Sequence, residues 1–154
     1  MIKLVTNFKD LKIGLIIAQK KIEAASKEGM RRAVLEFMDD TLHKPPMVPR
    51  RSGSLAASES VFVDGKLVST SAGESHSGGT GSTPLMVFPK VSEELEGALI
   101  VNKPYAASVH EGVSRWGTSY KFRWPGSGKK WVQAKLTRYG EKYFNLIARK
   151  IKAL

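Results

Sequence analysis

Residues 58–71 read SESVFVDGKLVSTS. Two runs rich in β-branched and aromatic side chains flank the dipeptide Asp64-Gly65. Asp-Gly suits the positive φ angles of a type I′ turn, whose twist matches that of two antiparallel strands. The stretch therefore predicts a β-hairpin, and it lies between two long segments of helical period. That placement decides the fold class: α+β, with a long N-terminal helix, a small mostly antiparallel sheet and a C-terminal amphipathic basic helix packed on the sheet.

Upstream of the hairpin, Leu11, Leu15, Ala18, Ile22, Ala25, Gly29, Ala33 and Phe37 recur at spacings of three and four, with Lys20, Lys27, Glu28 and Arg31 on the other side. One amphipathic helix is expected over 9–42. Pro45 and Pro46 stop it, because proline lacks the amide proton and disfavours helix in the residue before it. The stripe reads as core or subunit interface. Downstream, GESHSGGTGST (73–83) has almost nothing to bury and is expected to be a mobile loop. Strand-like segments return at LMVF (85–88) and GALIV (97–101), and YAASVHEG (105–112) suits a short helix. The chain reads as a single domain over 1–154: helix 9–42, sheet region 56–112, aromatic and basic loop 113–129, and helix 130–153.

That last helix has the clearest pattern. Val132, Leu136, Tyr139, Tyr143, Ile147 and Leu154 gather on one face, while Lys135, Arg138, Lys142, Asn145, Arg149 and Lys152 recur at three and four on another. The first face is expected to pack and the second to stand opposite it as a basic rail. The rail reads either as a solvated face whose last cations suit the helix dipole or as a surface that docks on an acidic partner.

The charge distribution sharpens this. The net charge is +11, divided as +2 over residues 1–42, zero over 43–119 and +9 over 120–154. Such a field implies an acidic partner: DNA, RNA or an acidic protein face. With 154 residues the chain can bury one modest core. No apolar run approaches the roughly 18 residues that would cross a bilayer, so no membrane role is expected. The start MIKLVTNFKD has no apolar run or small-residue cleavage site of a signal peptide, so a cytosolic protein is expected. The chain has no cysteine, which fits a reducing compartment and excludes disulfides and thiolate metal sites.

Residues 115–131, RWGTSYKFRWPGSGKKW, hold all three tryptophans, interleaved with Lys and Arg. Trp and Arg are favoured at buried centres of protein interfaces, so Trp116, Tyr120, Phe122, Arg123 and Trp124 are candidate partner-binding residues. Tyr120, Phe122 and Trp124 alternate, which would put an aromatic face on one side of an extended segment and turn Lys121 and Arg123 away. Two further readings stand beside this one: aromatics folded back over the domain's own core, and stacking on nucleic-acid bases.

Signatures of catalysis are weak. His43, His76 and His110 are scattered without metal-ligand spacing. His110-Glu111 offers an acid/base pair without specificity. Gly126-Ser127-Gly128-Lys129-Lys130 resembles part of a phosphate loop but has Arg123 where a glycine belongs and Lys130 where Ser or Thr would hold magnesium. No G-x-S-x-G elbow occurs. No enzyme, cofactor or metal site is expected.

The order Pro49-Arg50-Arg51-Ser52-Gly53-Ser54-Leu55, a hairpin, Asn102-Lys103-Pro104-Tyr105-Ala106 with Glu111-Gly112 behind it, and a final helix resembles the tail-completion or head–tail connector (neck) proteins of long-tailed bacteriophages. In that family a Thr/Ser-Gly-x-Leu motif opens the sheet, and Tyr-Ala followed by Glu and Gly precedes a loop and the C-terminal helix. Two features differ: Val113 follows Gly112 where the family often has Gly-Thr, and Phe122-Arg123-Trp124-Pro125 replaces a Pro-Phe-x-x-Pro-Ala-like entry to the last helix. The resemblance implies a non-enzymatic virion component, assembled in the host cytoplasm as a homo-oligomeric ring at the head–tail junction. Its implied neighbours are other neck, portal-side or tail proteins, with DNA passing through the lumen without sequence-specific binding. The rail residues Lys135, Arg138, Lys142 and Arg149 would then face an acidic protein. The alternative is a basic nucleic-acid-binding module whose rail tracks phosphates, although no helix-turn-helix, zinc-finger or RNP-like signature is present. A small nuclease using His110 and Glu111 ranks third.

Overall fold

The structure, a computed structural model, describes residues 8–50, 53–72 and 85–154, with side chains from residue 12 onward. The expected mobile loop 73–83, His76, and Arg51 and Ser52 of the resemblance motif lie outside the described residues. The fold is α+β. Helix α1 spans Phe8–His43, strands β1, β2 and β3 span Glu59–Val63, Lys66–Thr70 and Gly97–Val101, helix α2 spans Ala106–Glu111, and helix α3 spans Trp131–Lys152.

The hairpin forms as its sequence predicts. Asp64 and Gly65 both have positive φ, 50° and 75°, the pair of values a type I′ turn needs. The sheet is antiparallel in the order β2-β1-β3. β1 pairs with β2 from Val63↔Lys66 to Ser60↔Thr70, with a register shift between Val61 and Phe62, and with β3 from Val63↔Gly97 to Glu59↔Val101. As the central strand, β1 is buried along its whole length.

Val61 and Val63 join Val34, Met38 and Leu42 of α1, Val48 and Leu55 of the linker, and Trp131 at the start of α3 in one core. Phe62 meets Phe88 instead, ring centroids 5.7 Å apart. LMVF is therefore not a strand. Phe88 lies against Phe62, Met86 and Val87 are exposed, and Pro89 has no amide to give a ladder.

Helix α3 joins the core through Trp131 and Val132, and beyond them it runs antiparallel along α1. Its Cα at Ile147 lies against Gly29, Tyr143 meets Phe37 edge-on, and Lys135 reaches Pro46. At 1.5 Å per residue α1 is about 54 Å long and α3 about 33 Å. The shorter helix ends near residue 24 of its partner, so roughly the first four turns of α1 project as an arm.

Candidate functional site

The α1–α3 seam corrects the expected rail. Lys135 is fully buried and its Nζ donates to the Pro46 carbonyl at 2.7 Å. Arg138 donates to the Pro45 carbonyl at 3.3 Å. Lys142 pairs with Glu36 and, at 3.3 Å, with Asp40. The face of α3 that packs thus lies between the two sequence stripes, rotated roughly 60° from the apolar one at 100° per residue. Two features of α1 draw it there: carboxylates on its inner side, and proline carbonyls beyond its end that no helix amide can satisfy. Leu136, from the face expected to pack, is left exposed. Asn145, Arg149 and Lys152 remain exposed as expected.

Asp40 is the hub of the seam. Its carboxylate is buried and takes Lys44 at 2.5 Å, Lys142, and the Tyr143 hydroxyl at 2.8 Å. Burial alone would raise this carboxyl, but Lys44, Tyr143 and Lys142 together hold it below its ordinary range. Burial and the Asp40 charge push the Tyr143 phenol far up. Burial works against the Lys142 ammonium, yet Glu36 and Asp40 prevail and raise it. Lys135, with no carboxylate bonded to it, is lowered chiefly by burial.

The residues of the weak catalytic signatures make contacts within the fold. Lys130 and His110 both bond the Glu111 carboxylate, and these two, Lys130 first, hold it below its ordinary range. The His110 ring meets Trp131 edge-on, centroids 4.8 Å apart. Met47 pairs with the glycine-rich turn, donating to the Gly126 carbonyl at 2.8 Å and accepting from the Gly128 amide at 3.2 Å. A Cβ at Gly126, whose φ is 79°, would come within 2.6 Å of Met47 Cε. The turn is thus shaped to pack on the linker. Among the described residues no group of three or more His, Asp or Glu side chains could hold a metal ion, and no helix is long and apolar enough to cross a membrane.

Of the aromatic candidates, Tyr120, Phe122 and Trp124 do converge. They line an open groove of about 760 Å³ with Leu55, Tyr105 and Val109. Lys121 and Arg123, expected to turn away, line the same groove, as does Arg50. Tyr120 to Arg123 form no ladder, so strict alternation is not imposed, and the long cationic side chains reach the rim. Among the described residues no carboxylate lines the groove.

Trp116 lies elsewhere. It tips a turn in which the Ser114 hydroxyl accepts from the amides of Trp116 and Thr118, its ring is stacked by Arg115 at 4.4 Å, and it is 78% exposed. Trp124 is 45% exposed and Trp131 1%.

The groove is set by three segments. Residues 53–58 lead into β1, with the Ala57 amide bonding the Gly53 carbonyl. β3 runs on into Asn102, whose amide bonds Ser58, and delivers Tyr105 and α2. The loop before α3 supplies the aromatics. Sequence reading singled out only the last segment as a site. Leu55 and Tyr105 stood within the resemblance motifs, and that was the available signal.

A second exposed apolar surface is the arm of α1. Ile13, Leu15, Ile16, Ile17 and Ile22 are all about half exposed. Leu15 and Ile22 continue the stripe that α3 covers farther along, whereas Ile13, Ile16 and Ile17 form a second stripe at i, i+3 and i+4 that the first one masked.

No protein-family model, no curated protein and no solved structure matches the chain.

Proposed function

We propose that this chain is a non-enzymatic structural subunit of a tailed-phage virion, assembling as a ring at the head–tail junction and joining head to tail around the DNA conduit. The observation that carries the reading is the convergence on one groove of Leu55 and Tyr105, from the two resemblance motifs, with Phe122 and Trp124. Residues widely separated in the chain share an apolar surface rimmed by cations, as a docking site requires. The α1 arm supports the same reading, because contiguous exposed aliphatic residues mark interaction surfaces. A ring subunit needs separate contacts for its neighbours in the ring and for the layers above and below, and the groove, the arm and Trp116 supply three.

The nucleic-acid reading is the weaker one, since two of its four rail cations are taken up within the fold, Lys135 by burial and Lys142 by Glu36 and Asp40, which leaves Arg138 and Arg149 exposed. Particles assembled without the chain should accumulate as DNA-filled heads and separate tails, which the purified protein should join. Joined, infectious particles made without it would overturn the proposal.

A further inference from the structure

The loop before β3, residues 85–96, is the chemical counterpart of the groove. It carries Met86, Val87 and Val91, the last two 78% and 75% exposed, beside the exposed carboxylates of Glu93 and Glu94. Neither carboxylate meets a cation among the described residues.

The loop is also built in advance. The Glu96 carboxylate accepts from the amides of Val91 at 2.9 Å and Ser92 at 3.0 Å. Asp64 of the hairpin turn accepts from the Glu96 amide at 3.2 Å and pairs with Lys90 at 2.9 Å and Lys27 at 3.4 Å. Most of the ordering cost of presenting such a loop has therefore been met within the subunit.

Loop and groove sit at opposite ends of the sheet. The loop is bound to the turn after Val63, whereas the groove is walled by Leu55 and Tyr105, next to Glu59 and Val101. The two ends of β1 are about 15 Å apart at 3.3 Å per residue, so one copy cannot bring its own loop into its own groove.

We infer that successive copies of this chain join head to tail, the acidic and apolar loop 85–96 of one copy seating in the cation-rimmed aromatic groove of the next. Met86, Val87 and Val91 fill the apolar floor, and Glu93 and Glu94 face Lys121 and Arg123. The contact joins two different patches, so it repeats from copy to copy and either closes into a ring or runs on as a filament. The inference rests on the self-assembly reading and names its contact. A basic, apolar arm such as α1, with Lys12, Lys20 and Lys21 against Glu23, would meet like charge in this groove. The acidic loop is the better occupant.

The test uses charge reversal on exposed positions. E93K/E94K makes loop and groove both basic, and K121E/R123E makes both acidic. Sedimentation velocity at low salt should show the parent self-associating and each variant alone associating at least about tenfold more weakly. An equimolar mixture should assemble again, with the two variants in a one-to-one ratio, because each loop then meets a groove of opposite sign.

A monomeric parent, a single variant that assembles like the parent, or a mixture that stays monomeric would each overturn the proposal. So would a monomeric parent that binds an unrelated acidic peptide in the groove, which would give the groove to another partner. Self-association is read on purified protein and joining on particles. A chain that joins heads to tails while its variants ignore the mixing rule refutes this contact and leaves the function standing; a chain that obeys the rule but joins nothing does the reverse.

Discussion

Gly29 tests the α1–α3 seam directly. A Cβ built there would lie 2.7 Å from Ile147 Cα and 3.2 Å from the Ile147 carbonyl oxygen, whereas carbon atoms pack best at about 3.5–4.0 Å. The obstructing atoms are backbone, so no rotamer change relieves the clash. For Gly29→Ala, α3 must retreat by about 1 Å, and gaps of that size forfeit a quarter to a half of each contact's attraction. Overpacking of this kind costs about 1–3 kcal/mol, and alanine's better helix propensity returns about 1 kcal/mol. Because the obstruction is backbone, the cost falls in the upper part of that range, about 2–3 kcal/mol, and the net expectation is a loss of about 1–2 kcal/mol.

Gly140→Ala is the matched control, because a Cβ at this glycine of α3 meets nothing within 4 Å. Only the propensity gain operates there. Thermal unfolding followed by far-ultraviolet circular dichroism should show Tm lowered by about 2–8 °C for Gly29→Ala and raised by about 2–4 °C for Gly140→Ala, at about 2–4 °C per kcal/mol for a domain of this size. If Gly29→Ala were as stable as the parent, or the two variants moved together, the close approach of α3 to α1 would be refuted.

Further expectations concern charge and the tryptophans. K135E/R138E/K142E should fail to fold cooperatively, because it puts carboxylates against the Pro45 and Pro46 carbonyls and against Glu36 and Asp40, whereas R149E/K150E/K152E, which loses only favourable helix-dipole contacts, should still unfold cooperatively with a loss of about 1–3 kcal/mol. The Asp40 carboxyl is lowered in the fold, so its contribution is present above the ordinary value of 3.8 and is lost as pH falls through the folded value. Denaturant midpoints should therefore drop below about pH 4, and Asp40→Asn should flatten that slope while costing about 3 kcal/mol or more at neutral pH. In single-tryptophan variants, acrylamide should quench Trp116 most, Trp124 less and Trp131 hardly at all. Equal quenching of all three would contradict the burial order of the fold.

The hairpin, α2 and both long helices were legible because their signals are local. Asp64-Gly65 dictates a turn, Pro45 and Pro46 dictate a stop, and a helical stripe is written within a few turns. The orientation of α3 was not legible. Hydrophobic periodicity treats Lys135 and Lys142 as outward-facing, but a lysine stem packs like an aliphatic chain once its ammonium has an acceptor. Those acceptors, the Pro46 carbonyl and Asp40, lie about a hundred positions away in the sequence. The stripe on α1 was legible as a stripe, and only the difference in length between α1 and α3 shows that its first half has no partner among the described residues. The groove combines Leu55, Tyr105 and Phe122 from three segments, and no local pattern in any of them announces the other two.

The same packing changes what the C-terminal charge does. Of the cations that make residues 120–154 so basic, Lys130 is paired with Glu111, Lys135 and Arg138 bond proline carbonyls, and Lys142 joins Glu36 and Asp40. Arg138 stays exposed while it bonds Pro45, and the other outward cations are divided: Lys121, Arg123 and Lys129 before α3, and Arg149 and Lys152 in its last turn. The two groups lie at opposite ends of a helix about 33 Å long, several times the roughly 10 Å over which charge acts at 0.1 M salt. Between them Arg138 is the one fully exposed cation of α3, so the track offered to a phosphate backbone is broken. The last-turn cations face the negative end of their own helix dipole, where they stabilise α3 without any partner. Lys121 and Arg123 do not sit at a helix end, and their placement around an aromatic floor that no carboxylate among the described residues lines makes an acidic, apolar protein segment the ligand best matched to them.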